Sequence, residues 1–266
     1  EYSQFKMSAD GNNFAYVTNQ LGQYKIYIYY KDENKKYKIY KEGFKLDRIN
    51  DNSFPVLEWN PSGEILTFIT EEKGLLLMHF FDITTGSKEV KTVFKMEKIT
   101  SMDYADSGSE IVFSGVYDGQ SDLYIYYIRS NSHQKITNDV FDDLDPEFID
   151  NSQKIAFTSN RYSDSLGQQP TDLELFSNQK EVWTIANFKA KKERERVLNR
   201  VTETATSERQ PVAVDSVLYY LGEQNNIMTR FSAVKDSLIT HIDTSIHYSH
   251  FYKTKKPNRK LILFGF

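Results

Sequence analysis

Four aspartates, Asp139, Asp142, Asp143 and Asp145, fall within seven residues, and three histidines, His241, His247 and His250, within ten. Carboxylates this close could hold a hard cation, and imidazoles that converge could hold zinc. The spacing argues against both. The glycine that an EF-hand loop needs at its sixth place is missing. His247 and His250 are an odd number of residues apart, so on one strand they project from opposite faces. The acidic run reads either as a turn-forming, solvated loop or as a contact for a basic protein partner. The chain has no Cys, which removes disulfides and thiolate-bound metals. It has no G-x-S-x-G elbow and no G-x-G-x-x-G or phosphate loop. Ser107-Gly108-Ser109 is accounted for by a hairpin turn. No catalytic residue, metal or cofactor is expected. The run from Lys189 to Arg196 mixes both signs and reads as a solvated loop. A formal charge of −4, from 33 basic and 37 acidic residues, lacks the basic excess that a nucleic-acid binder shows.

The elements around these residues repeat. Each unit is an apolar strand, a polar turn, a second apolar strand and an aromatic-rich third strand. The first unit runs from Phe5 through Gly11 to Val17, followed by Lys25–Tyr30. The second runs from Pro55 through Gly63 to Phe68, followed by Leu75–Phe81. The third runs from Ser101 through Gly108 to Phe113, followed by Asp122–Tyr127. The fourth runs from Asp145 through Asn151 to Phe157, and a weaker fifth covers Gln210–Tyr220. The turn glycines Gly11, Gly63 and Gly108 are 52 and 45 residues apart. A period of about 40–50 residues with four strands each is that of a propeller blade. Asp-Gly and Ser-Gly supply the left-handed residue that a tight hairpin turn requires. Aromatics are 14 % of the chain, and stretches such as Ile26-Tyr27-Ile28-Tyr29 carry bulk on both faces, as strands buried between two blades must.

The fold expected is therefore all-β, a propeller of four-stranded antiparallel blades, six in number with the last incomplete. Blades are placed at about 2–44, 52–94, 99–138, 144–202, 208–243 and, in part, 245–266. Residues 162–180 are read as an insertion in the fourth. The fourth strands are Lys38–Lys41, Val90–Phe94, Gln134–Thr137, Val197–Thr202 and Ser237–His241, and a sixth blade is opened by His250-Phe251-Tyr252. The arithmetic of strands predicts that the native chain continues beyond Phe266. No apolar run approaches the ~20 residues of a membrane-spanning helix.

Trp59-Asn60-Pro61-Ser62-Gly63-Glu64-Ile65-Leu66-Thr67-Phe68 resembles the WD40-like PD40 repeat, whose core reads roughly S-P-D-G-x-x-I-A-F. Ile155-Ala156-Phe157-Thr158-Ser159-Asn160-Arg161 is similar to its I-A-F-x-S-x-R continuation. Asp122-Leu123-Tyr124-Ile125 resembles its D-I-Y-V strand, and Ile136-Thr137 its closing L-T. The resemblance, to TolB-like propellers, implies a non-catalytic scaffold for a protein partner in the bacterial cell envelope, in the periplasm or at the outer membrane, within a longer chain. Membrane association would then come only through other domains. The alternative it implies is a propeller that gates a prolyl-oligopeptidase-like hydrolase outside this segment. A propeller glycosidase would need carboxylates converging in the channel. Loops between blades form the rim of that channel, so the candidate partner-binding residues are Arg48, Asp51, Asp142, Asp145, Arg209 and Tyr248.

Overall fold

A computed structural model describes residues 1–43, 54–167, 179–242 and 246–255; for 238–242 and 246–248 it describes the backbone only. The first blade comprises β1 (Tyr2–Met7), β2 (Asn13–Gln20), β3 (Gln23–Tyr30) and β4 (Lys35–Glu42). The second comprises β5 (Val56–Trp59), β6 (Ile65–Glu72), β7 (Leu75–Asp82) and β8 (Lys88–Val93). The third comprises β9 (Lys98–Tyr104), β10 (Glu110–Tyr117), β11 (Gln120–Tyr127) and β12 (Ser132–Lys135). In the fourth are β13 (Asp143–Ile149), β14 (Lys154–Ser159), β15 (Glu181–Ala186) and β16 (Val197–Arg200), and in the fifth β17 (Glu208–Val214), β18 (Val217–Gln224), β19 (Ile227–Ile242) and β20 (Ile246–Lys255).

Each blade is a four-stranded sheet of consecutive antiparallel strands, and among the described residues there is no α-helix and no helix long and apolar enough to cross a membrane. The turn residues behave as their chemistry requires. Gly11, Gly63 and Gly108 have φ of 72°, 74° and 67°, and the glycine-free fourth turn places Asp150, Asn151 and Ser152 in the same left-handed region.

The two faces of the second, third and fourth sheets are buried against different neighbours, which is why their strands carry bulk at nearly every position. Ala15, Val17, Ile26 and Ile28 pack on Leu57, Trp59, Leu66 and Phe68, closing the first blade on the second. Ile69 and Met78 meet Met102 and Phe113 between the second and third. Val112 and Ile125 meet Phe157 and Trp183 between the third and fourth. Ala156 and Val182 meet Leu218 and Tyr220 between the fourth and fifth. Fully burying one side chain of this size stabilises by roughly 1.5–3 kcal/mol.

The end of the chain departs from the sequence-based expectation. Ser237–His241 is not a separate fourth strand but the second half of β19, which is 16 residues long. His250-Phe251-Tyr252 does not open a sixth blade; it lies in β20, which pairs with β19 as the outermost strand of the fifth. The alternating pattern simply runs on past Val234, the partner of Val217 at the start of β18, as a two-stranded ribbon. The described residues thus hold five blades, and residues 256–266 of the expected sixth lie outside the description. The part of the expected insertion at 168–178 lies outside it as well.

Candidate functional site

The innermost strands neighbour one another in chain order, β1 on β5, β5 on β9, β9 on β13 and β13 on β17. Equivalent positions therefore form rows around the axis. One row is Lys6, Glu58, Asp103 and Glu147, which pair with Ala15, Thr67, Val112 and Ala156 at the same offset in each blade. These are the convergent carboxylates that a channel reaction would need, so what holds each of them decides their role.

Each is tied to a neighbouring blade. Lys6 Nζ donates to Glu58 Oε2 in an ion pair, and the indole Nε1–H of Trp59 donates to the Lys6 carbonyl at 3.0 Å. The Phe148 N–H donates to Asp103 Oδ2 at 2.7 Å, and the Ala213 N–H to Glu147 Oε1 at 2.8 Å. A side chain on one inner strand thus satisfies a backbone group on the next. Burial raises the pKa of all three acids: Glu58 upward against the pull of Lys6, Asp103 well above the usual carboxylate range, and Glu147 to about 7. Burial alone would lower the Lys6 pKa, but Glu58, with Asp103 and Glu147, holds it above its ordinary value.

A second row lies two residues closer to the start of the inner strands. β1, β13 and β17 each carry a bulge there, with Gln4, Asp145 and Gln210 at φ of 54°, 50° and 53°. The bulge frees a backbone N–H, and the preceding blade takes it up. The Asp145 N–H donates to Ser101 Oγ at 3.2 Å, and the Gln210 N–H to Asp145 Oδ2 at 3.2 Å. Asp145 is half-buried, and burial raises its pKa although Arg209 beside it pulls the other way. Arg209 itself is exposed.

Of the six residues expected at the rim, the structure brings Asp145 and Arg209 together, at the starts of β13 and β17. Asp142 sits half-buried in the connection before β13, its N–H donating to Asn160 Oδ1 at 2.8 Å. Tyr248 is not on the rim: it lies on β20, the outermost strand of its blade, opposite Ile239. Arg48 and Asp51 lie outside the described residues.

The acidic run has a function that the sequence reading missed. Arg161, 2 % exposed, sends Nη2 to both oxygens of Asp143 at 2.7 Å and Nη1 to Asp139 Oδ2 at 3.2 Å. Its guanidinium lies between the Phe141 and Phe157 rings, 5.6 and 5.5 Å from their centroids. Asp139 and Asp143 are thus not a solvated loop or a cation site; they are the anions of a buried lock within the fourth blade. The S-x-R ending of the repeat, with aspartates 22 and 18 residues before the arginine, is the signal that could have found it. The expected absence of a histidine metal site concerns residues whose side chains are mostly not described; the backbone register sets His241 opposite His247, and His250 opposite Ser237. Among the described residues no group of His, Asp or Glu is placed to hold a metal ion.

A related motif recurs at the ends of the third and fourth blades. In the third blade Thr137 Oγ1 accepts the Leu123 N–H at 3.0 Å and donates to Asp122, which also pairs with Lys135 at 2.7 Å. In the fourth, Thr202 Oγ1 accepts the Val182 N–H at 2.8 Å and donates to Glu181, which pairs with Arg200 at 2.9 Å. Glu208 stands where Asp143 stands one blade earlier, at the start of the next inner strand, but no arginine reaches it. Its partners are the hydroxyls of Thr202 and Thr204, and burial lifts its pKa to about 7.

No family model matches the chain, and no curated protein matches it in sequence. Solved structures do. TolB of Acinetobacter baumannii superposes over 88 % of this chain and 52 % of its own, with a TM-score of 0.63 and 16 % identity. The fold is that of a TolB-like β-propeller. A protein of Agrobacterium tumefaciens assigned to TolB covers 96 % of this chain and 80 % of its own, at a TM-score of 0.61 and 14 % identity. The β-propeller domain of the trilobed protease of Pyrococcus furiosus, described as having an open velcro topology, covers 92 % and 68 %, at 0.56 and 14 %. This chain thus spans about half the length of the A. baumannii protein. The sheets here take their strands in chain order, with no strand exchanged between distant parts of the described chain.

Proposed function

We propose that this propeller is a non-catalytic scaffold that receives a protein partner at the mouth of its channel, in the bacterial cell envelope and as part of a longer chain. The observation that carries this reading is the use already made of the channel carboxylates. Glu58, Asp103 and Glu147 converge as a glycosidase would require, yet Lys6 holds the first and backbone N–H groups of the next blade hold the other two. Groups committed to stitching blades together are not poised to move protons to a substrate. What the mouth offers instead is exposed Arg209 beside Asp145, with Asp142 in the adjoining connection, a surface suited to a polar loop or peptide. The likeness to TolB supports the scaffold role and the envelope location, by analogy of fold.

The test is capture of partners from envelope extracts by wild type and by a D142K/R209E double variant, both confirmed folded by circular dichroism. The reading expects a specific partner held by wild type and lost by the variant; identical captures would sink it. The likeness to the trilobed protease propeller favours a second reading, in which the propeller gates a hydrolase elsewhere in the native chain. A full-length sequence carrying a nucleophile elbow would establish that reading instead.

A further inference from the structure

Away from the channel, a cleft of about 780 Å³ opens between the outer parts of the fourth and fifth blades. On one wall, the cross-strand rows Ala156–Thr184–Asn199 and Lys154–Ala186–Val197 face the fifth blade. On the other are Lys235, just past the last β18 pairing, and its β20 partner Tyr252. Tyr162 and Asp164 close one end.

Three features mark this cleft as built for a ligand. The first is charge: Lys154, Lys235 and Arg200 line it against a single acid, Asp164, on a chain whose formal charge is −4. Lys154 is ion-paired with Asp150 and Arg200 with Glu181, but Lys235 is exposed and has no anionic partner among the described residues. The second is Thr184, only 1 % exposed, whose side chain lies in the row facing the cleft and lines it. The third is backbone: among the described residues β16 pairs only with β15, and β20 only with β19, so two sheet edges flank the opening.

We propose that this cleft binds an extended acidic segment of a partner protein, one separate from the contact at the channel mouth. The segment lies against the β16 edge as an added strand and sets alternate carboxylates toward Lys235 and Lys154. A carbonyl or carboxylate of the segment accepts the Thr184 hydroxyl, while Val197 and Tyr252 pack on its apolar positions. The free sheet edges favour a peptide over an acidic sugar, which would use the lysines but leave the backbone groups unpaired.

The experiment is calorimetric titration with a blocked hexapeptide alternating Glu and Val, beside its Lys–Val counterpart and an oligogalacturonate of similar charge. The proposal expects the acidic peptide alone to bind, at least about tenfold more weakly to K235E. R209E at the channel mouth should bind it like wild type, which separates a failure here from a failure of the scaffold reading. Lys235 is exposed, so K235E keeps its fold, checked by an unchanged melting temperature. Equal binding of the Lys–Val peptide, K235E binding like wild type, or preference for the sugar would each overturn the proposal, as would no binding of the acidic peptide at millimolar concentration.

Discussion

Glu208 gives the fold a pH dependence that can be worked out from its surroundings. Thr202 Oγ1 lies 3.0 Å from Glu181 Oε2 and 3.2 Å from Glu208 Oε2, and it has one proton to give. Glu181 also has Arg200, whereas Glu208 lacks the arginine that Asp143 has in the blade before. Burial therefore keeps Glu208 protonated in the folded chain up to about pH 7, against an ordinary value of 4.5. Between those two pH values the unfolded chain releases the proton and the folded chain keeps it. The stability this group contributes is fully present below about pH 4.5 and is lost as pH rises through 7. Each unit of difference is 1.36 kcal/mol, so the loss approaches about 3 kcal/mol. Glu147, raised to about 7, and Asp122, raised to about 6, act with the same sign. Urea unfolding followed by tryptophan fluorescence from pH 5 to pH 8 should show wild type losing stability across the range. E208Q, neutral at every pH, should lose less and overtake wild type near pH 8. Parallel profiles for the two proteins would refute the assignment of a buried, protonated Glu208.

Other expectations follow from the same contacts. R161A leaves Asp139 and Asp143 buried without their cation and should cost about 3–5 kcal/mol in urea unfolding, whereas R209E, at an exposed site, should stay within about 0.5 kcal/mol of wild type. G43A should destabilise, because the left-handed φ of 86° disfavours a side chain and its Cβ would stand 2.5 Å from the Gly22 carbonyl oxygen; unchanged thermal unfolding would contradict that packing. D103A leaves the Phe148 N–H without its acceptor and should cost about 1–3 kcal/mol, read as a lowered urea midpoint at unchanged slope.

The blades were legible because a tight turn and a doubly buried strand have few chemical solutions. Gly11, Gly63 and Gly108 mark the first, and Leu123-Tyr124-Ile125-Tyr126 the second. The end of the fifth blade was not, because alternation reports that a segment is a strand but not which strand it pairs with. Ser237–His241 and His250–Tyr252 each look like the edge of something, and only their register shows that they are one ribbon. The channel row was hidden for a different reason. Lys6, Glu58, Asp103 and Glu147 differ in type and charge, and become a set only when counted back five places from the turn positions 11, 63, 108 and 152. The aspartate run was visible, but its role depends on Arg161, which arrives from the far end of the neighbouring strand.

The scaffold reading is tested most directly by photo-crosslinking in envelope extracts. A photoreactive amino acid is placed at position 209, at the channel mouth, and in a separate protein at exposed position 36 on β4. The account expects one dominant protein adduct from position 209 and none of that mass from position 36. The same adducts from both positions, or none from position 209, would contradict it.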